Sequence, residues 1–381
     1  MNYIKLSNLL TKGDKDWFHI PRKEQEAYLN KLRTPKDTID RGWLQYKCQQ
    51  PFVGPFKRRI MEVASALYFP FFVIAHLLRK RRFVRKVDAV SEFKIIQEVI
   101  PDEMYKMYIF DHDAWYTTAS LDFKDALYCI KLALRYPLSP LFVIKSSFCV
   151  AKYSAFISCY SPNAIIVHRE YSFTSSVGTD YCRKKGVKHI NIMHGDKVYW
   201  IRDSFFEYDE CYIWSEHYKK LFIDLKAAPN QFSVMVPSSL VIDTKAYNNI
   251  NSYADFKYYL DYYSDDEIHS IVESLIFVKE IGASVKFRPH PRYSNIQLLK
   301  KYVNDEDIEY PKDVNIMESI SNLKWAVGSS TTALLQAYYS GKGVVCDDVT
   351  YTKQYEQLKE HEWILSNVDS KRLSNIRDLL S

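Results

Sequence analysis

From Val87 onward the chain alternates short apolar runs with segments whose apolar residues recur at helical spacing. The runs "NAIIVHRE" (163–170), "KHINIMHG" (188–195) and "ECYIWS" (210–215) are apolar without alternation, the pattern of strands buried on both faces of a parallel sheet. "KMYIF" (106–110), ending at Asp111, reads as a further buried strand. Between these lie "FKDALYCIKLAL" (123–134), periodic at 3.6, and "SSVGTDYCRKKG", closed by Gly186. Periodicity then lapses over "VPSSLVIDTKAYNNIN" (236–251), which reads as a crossover or linker. A second set follows. "SDDEIHSIVESLIFVKEIG" carries Ser264 as N-cap, Glu267 three residues on and Gly282 past its end. "SVKFRPHPR" predicts a strand entering a turn, "VNIMESISNL" a short helix, "KWAVG" a strand, "SSTTALLQAYYSG" a helix and "KGVVCDD" a strand. Strand–helix alternation in two successive sets predicts an α/β chain of two Rossmann-like halves with parallel, doubly wound sheets. The functional residues are expected in a cleft at the carboxyl ends of the strands.

Three segments divide the chain: 1–86 as a lead-in, 87–235 as an acceptor-side half and 236–381 as a donor-side half. Residues up to about 55 are polar, Lys-rich and punctuated by Pro21, Pro35, Pro51 and Pro55, and read as irregular or short-helical. Next, Ile60–Leu78 is an apolar centre bracketed by Lys57–Arg59 and Arg79–Lys86. Glu62, Pro70 and His76 interrupt it, and its length is marginal for a span. Three readings stay open: a segment lying in the headgroup layer of an anionic membrane surface, a core helix with basic ends, and a true span.

Composition narrows the class. Of 381 residues 47% are hydrophobic and 26% charged, which excludes a disordered chain. Aromatics reach 15%, with 30 Tyr, a richness that suits sugar handling or an interface. A net charge of +6 does not call for nucleic acid as a partner. Seven scattered cysteines with no CxxC pair argue for a reducing cytosol and against a zinc cluster. "MNYIKLSNLLTKGDKDW" has no continuous apolar core of a secretory leader, so a cytoplasmic protein, peripheral at the inner face of a bacterial membrane, is expected.

Candidate chemistry sits at the strand ends. In "RPHPR" Arg288, His290 and Arg292 crowd three cationic or protonatable groups around two prolines, an arrangement an anion between them would relieve. In "WAVGSSTTALLQ" a strand ends at Gly328, and Ser329, Ser330, Thr331 and Thr332 open a helix, where backbone N–H groups and hydroxyls can hold a phosphate without a metal. Ordinary capping needs one such hydroxyl. In "MHGDK" His194 or Asp196 could remove a proton from an acceptor hydroxyl, with Lys197 beside them to hold a phosphate or carboxylate. "IFDHDAW" offers a rival base such as Asp113, although Asp111, His112 and Asp113 together could equally be a metal site or a solvated turn, and His168, Arg169 and Glu170 at another strand end line the acceptor side. The chain has no GxGxxG, P-loop, HExxH or GxSxG motif and no DxD at a suitable place.

These residues resemble the GT-B glycosyltransferases of bacterial surface polysaccharides. His290–Pro291 followed by Ser329, Ser330 and Thr331 is similar to bacterial sialyltransferases and polysialyltransferases, whose matching motifs contact the CMP of the donor. "MHGDK", "RPHPR" and "GSSTTALLQAYYSGK" also resemble, in order, the CDP-glycerol glycerophosphotransferases, although Val327–Gly328 stands where that group has Asp-Tyr. The resemblance spans about 190 to 348 and has no counterpart of the sialyltransferases' acidic motif. It implies a GT-B fold and a metal-independent, cofactor-free inverting transfer, with a sialyltransferase using CMP-sialic acid as the leading expectation. The acceptor would be an O-antigen, capsule or lipopolysaccharide glycan, lipid-linked or free. A CDP-glycerol-type transferase is the rival, and a non-catalytic scaffold of a polysaccharide assembly complex is the alternative from another class.

Overall fold

The computed structural model describes residues 19–91, 99–111, 114–247 and 253–379. The chain divides between Pro237 and Ser238 into two compact units. Each is an α/β unit built on one parallel sheet, as the alternating pattern predicts.

In unit 1 the strands are β1 (Ala89–Ser91), β2 (Phe110–Asp111), β3 (Ala164–Val167), β4 (Lys188–Ile192), β5 (Glu210–Ile213) and β6 (Phe232–Val234). Their order across the sheet is β2-β1-β3-β4-β5-β6. The expected strand at 106–110 is confined to Phe110–Asp111, because Asp102–Met107 winds as a helix behind Pro101. Unit 2 holds β7 (Ala254–Tyr259), β8 (Val285–Arg288), β9 (Leu323–Gly328), β10 (Gly343–Cys346) and β11 (Lys371–Arg372), ordered β11-β10-β9-β7-β8. Both sheets therefore reverse strand order at one place, between β1 and β3 in unit 1 and between β7 and β9 in unit 2. In open parallel sheets the crevice outside the carboxyl ends at that reversal is where ligands collect.

The lead-in folds onto unit 1 as helices α1 (Arg22–Asn30) and α2 (Thr38–Gln49). The apolar segment between basic clusters is helix α3 (Pro55–Leu77). The short helix α4 (Asp102–Met107) precedes β2, α5 (Phe123–Arg135) begins with an Asp122–Asp125 capping box, and α6 (Pro140–Tyr160) follows. Helix α6 is enclosed by α3, α5 and α7 (Ser175–Lys184) and buries residues on every side, which erases its periodicity in the sequence. In unit 2 helix α8 (Asp265–Glu280) starts with the expected Ser264–Glu267 capping box and ends at Gly282, whose φ of 91° only glycine adopts freely. Its buried face, Ile268, Ile271, Leu275 and Val278, packs with Phe256, Tyr258, Val285 and Phe287 in the core. Helix α9 (Thr332–Tyr339) follows β9.

Candidate functional site

In unit 1 the loop leaving β3, one of the two strands at the reversal, carries His168, Arg169 and Glu170, and the loop leaving β4 on its other side carries His194 to Lys197. Glu170 is completely buried, and its carboxylate forms an ion pair with Lys197, itself 7% exposed. Asn191 Nδ2 donates to Glu170 Oε2 (3.4 Å) while its Oδ1 accepts from Arg169 N (2.7 Å), so β4 fixes the course of the β3 loop. His194 Nδ1 lies 3.7 Å from Glu170 Oε1, an electrostatic contact longer than a hydrogen bond, and a third of the His194 side chain reaches solvent. His168 packs edge-on beneath it, ring centroids 4.3 Å apart. Tyr171 lies 6.2 Å from the His194 ring, and the Arg202 guanidinium stacks over both Tyr171 and Trp200.

The electrostatics follow from burial and neighbours. Burial would raise the Glu170 carboxyl, but Lys197 and His194 outweigh it and hold it below its ordinary value. Burial would lower Lys197, and Glu170 and Asp203 reverse that, so the pair is charged at neutral pH. His194 is held below 6.5 because burial exceeds the pull of Glu170. His168 falls to about 4, through burial first and the neighbouring His194 second. His194 is thus neutral at pH 7. With Nδ1 toward a carboxylate, its Nε2 stands on the far side of the ring as a proton acceptor, the layout of a general base with an orienting acid.

Helix α2 holds both loops in place. Gln45 Nε2 donates to the carbonyls of Glu170 (2.8 Å) and Arg202 (2.9 Å), and Gln49 Nε2 donates to Tyr171 O (2.9 Å). The helix comes this close because residue 42 is glycine: a Cβ there would sit 2.6 Å from the Phe173 carbonyl oxygen. Beside the β3 loop a cavity of about 830 Å³ is lined by Arg169 and Tyr171–Thr174, by Lys145, Phe148 and Lys152 of α6, and by Ala64, Ser65 and Tyr68 of α3.

In unit 2 the Ser/Thr run lies at the strand reversal. Gly328 ends β9 beside the end of β7, where an added Cβ would stand 3.1 Å from Tyr259 O. Ser329 and Ser330 form the turn, Ser330 Oγ accepts from Gln354 Nε2 (2.9 Å), and Thr331 caps α9 through Ala333 N (3.4 Å). Thr332, the first helical residue, is exposed. His290 follows β8 on the same carboxyl edge. Since β7 separates β8 from β9, the two strand ends are about 10 Å apart. Arg292 N donates to His290 Nδ1 (3.1 Å), which leaves the Nε2–H to donate outward, and the ring stacks on Tyr293.

Several expected roles change. Arg288 was expected to meet an anionic ligand; it is buried, and its Nη1 pairs with Glu309 Oε1 (2.8 Å), a carboxylate that also takes Lys257 Nζ (2.5 Å) and the Ser319 hydroxyl. Lys197, expected to bind phosphate or carboxylate, is engaged by Glu170 inside the protein. Asp196 accepts from the Tyr218 hydroxyl (2.6 Å) and from Lys197 N, which makes it a loop-shaping acid more than a free base. Arg292 is exposed. Asp113 lies outside the described residues. Tyr171 and Arg202 are the residues that sequence reasoning did not single out, and Glu170, expected with His168 and Arg169 on the acceptor side, is instead buried against Lys197. The signal for Glu170 was its place in "HRE", directly after a buried strand, at the reversal of strand order.

No family model matches the chain, and no curated protein matches it in sequence. Among solved structures, UDP-GlcNAc 2-epimerase from Methanocaldococcus jannaschii is 13% identical, with 78% of this chain and 99% of that one covered at a TM-score of 0.41. CalG4, the calicheamicin glycosyltransferase, is 8% identical, with 79% and 89% covered at 0.42. The glycotransferase of kitacinnamycin is 9% identical, with 79% and 90% covered at 0.43. At such values the likeness bears on no residue and on no activity. What the chain itself shows is an α/β protein of two parallel-sheet units, each with polar and ionisable residues at the carboxyl ends of its strands.

Proposed function

We propose that this protein is an inverting glycosyltransferase that moves a nucleotide-activated sugar onto a hydroxyl acceptor, with acceptor activation in unit 1 and nucleotide binding in unit 2. The observation that carries the reading is His194, neutral at pH 7 and backed by the buried, charged Glu170 at a strand reversal. In the proposed step the acceptor O–H proton passes to His194 Nε2. The acceptor oxygen bonds to the anomeric carbon, and that carbon's bond to the phosphate oxygen breaks, leaving its electron pair on the nucleotide. Ser329 to Thr332, the N-terminus of α9 and the outward Nε2–H of His290 suit the charge that develops there. The cavity beside Arg169–Thr174 is the proposed acceptor site. CMP-sialic acid is the donor of choice on the resemblance of His290–Pro291 and Ser329–Thr331 to sialyltransferases, and the acceptor a surface-polysaccharide glycan. Released nucleotide, measured with CMP-sialic acid, CDP-glycerol and several UDP-sugars, tests the reading. CMP release from CMP-sialic acid alone, falling by about 10² or more in His194→Ala and His290→Ala, is expected. Release from CDP-glycerol would reassign the substrate, and turnover indifferent to both substitutions would refute the assignment of the site.

A further inference from the structure

Helix α3 turns its polar residues inward. Glu62 accepts from Leu141 N (2.7 Å) at the start of α6 and from the Tyr46 hydroxyl, and Ser65 and His76 are buried. Between Ile60 and Leu78 every exposed residue is apolar or Tyr68, with Val63 61%, Leu67 69%, Phe71 69%, Ile74 58% and Leu78 79% exposed. The spacing of these five is that of one helical face. Helix α5, which contacts α3, repeats the design: Phe123, Leu127, Ile130 and Leu134 are exposed at helical spacing, and Leu138 stands 91% exposed just beyond. The one acid within α5 does not share that face, because Asp125 is buried against Arg81, Lys185 and Tyr181. Its exposed charges are Lys124, Lys131 and Arg135, and the exposed residues flanking α3 include Arg59, Arg79, Lys80, Arg82 and Lys86.

We infer that unit 1 docks on an anionic bilayer through the paired outer faces of α3 and α5, lying in the headgroup layer. Charge complementarity commits the face to a lipid surface: apolar side chains meet acyl chains and a fringe of Lys and Arg meets phosphate, while Asp122 beside Phe123 lies within 3.7 Å of both Arg81 and Lys185. A span is disfavoured by geometry, since the inner side of α3 packs on α6, which packs in turn on α7 of the α/β layer. Crossing the bilayer would strip α3 from that support. The α3 residues Ala64, Ser65 and Tyr68 line the 830 Å³ cavity, so the docked helix also forms a wall of the proposed acceptor site.

Sedimentation of the full chain with vesicles tests the inference without donor or acceptor, so its failure and that of the proposed function are separable. Binding to phosphatidylcholine vesicles containing phosphatidylglycerol, weaker on phosphatidylcholine alone and weakened by salt, is expected. Leu67→Glu with Phe71→Glu in α3, and separately Leu127→Glu with Leu134→Glu in α5, should each reduce partitioning about tenfold or more. These positions are exposed, so circular dichroism and the unfolding midpoint should stay as in the parent. Loss from the α3 pair alone, absence of vesicle binding, resistance to alkaline carbonate extraction, or a concentration-dependent dimer abolished by the same substitutions would each overturn it.

Discussion

Replacing Glu170 by Gln separates a structural ion pair from a catalytic orienting acid. The carboxylate is fully buried and holds Lys197, which is 7% exposed, so Glu170→Gln leaves a buried ammonium without its counter-charge. Breaking one side of such a pair costs about 3–5 kcal/mol of stability. Removing both charges, in Glu170→Gln with Lys197→Met, should restore most of that loss, because two neutral side chains of similar volume carry no desolvation penalty. Turnover should not recover. Glu170 is the largest influence raising the proton affinity of His194, opposing burial, and it faces Nδ1. Without it the base is misoriented and less basic, and kcat/KM should fall by about 10². The sign of the pH shift is fixed as well. The wild-type rate declines with acid as His194 takes up a proton, at a pH below 6.5, and in both variants this limb should move to still lower pH. Urea unfolding and a pH–rate profile read the two effects independently. A double variant that recovers rate together with stability would show that Glu170 only holds Lys197, and the base assignment would fall.

Three further outcomes follow from the packing. Gly42→Ala should push α2 off the Phe173 carbonyl, 2.6 Å from the new Cβ, loosening the Gln45 and Gln49 hydrogen bonds; turnover should drop severalfold with a modest loss in unfolding midpoint. Glu309→Gln in unit 2 should cost about 3–5 kcal/mol in chemical denaturation, since Lys257 and Arg288 would share a buried pocket without an anion. Acid should weaken unit 1 in particular. His76, His168, His189 and His194 are all held below 6.5 by burial, with His189 near 3 and His168 near 4. The unfolded chain takes up these protons first, so stability falls as pH drops below 6.5. Unfolding free energy measured between pH 7 and 5 should show an uptake of about two to four protons, and a flat profile would contradict the buried neutral histidines.

The longer buried strands other than β7, and several helices, were legible because their burial is regular, whereas β1, β6 and β11 are only two or three residues long and leave no pattern. Ala164–Val167 and Ala326–Gly328 are apolar runs covered on both faces, and Ser264 with Glu267 spells out a helix start. Helix α6 was missed because most of its residues are buried, polar ones such as Ser146, Ser147 and Ser154 among them, so no clean alternation of apolar and polar faces marks the period. Strand β7 was missed because its centre is Lys257, a residue type that rarely lies wholly inside a protein; only the distant Glu309 explains it there. The same kind of pairing misled the reading of Arg288, whose partner lies 21 residues on. Ser329–Thr332, His290, His194 and Glu170 were singled out because they sit at strand ends, whereas the burial of Glu170 beside His194 needed the fold to show it. The outward faces of α3 and α5 required knowledge of which side packs inward, since apolar periodicity alone points equally to a core.

The most direct measurement is a crystal of the protein soaked with CMP. The account predicts the phosphate at the carboxyl edge of the unit 2 sheet, within hydrogen-bonding distance of His290 Nε2 and of the hydroxyls and amides from Ser329 to Thr332. Phosphate bound elsewhere, with that edge left to solvent, would contradict it.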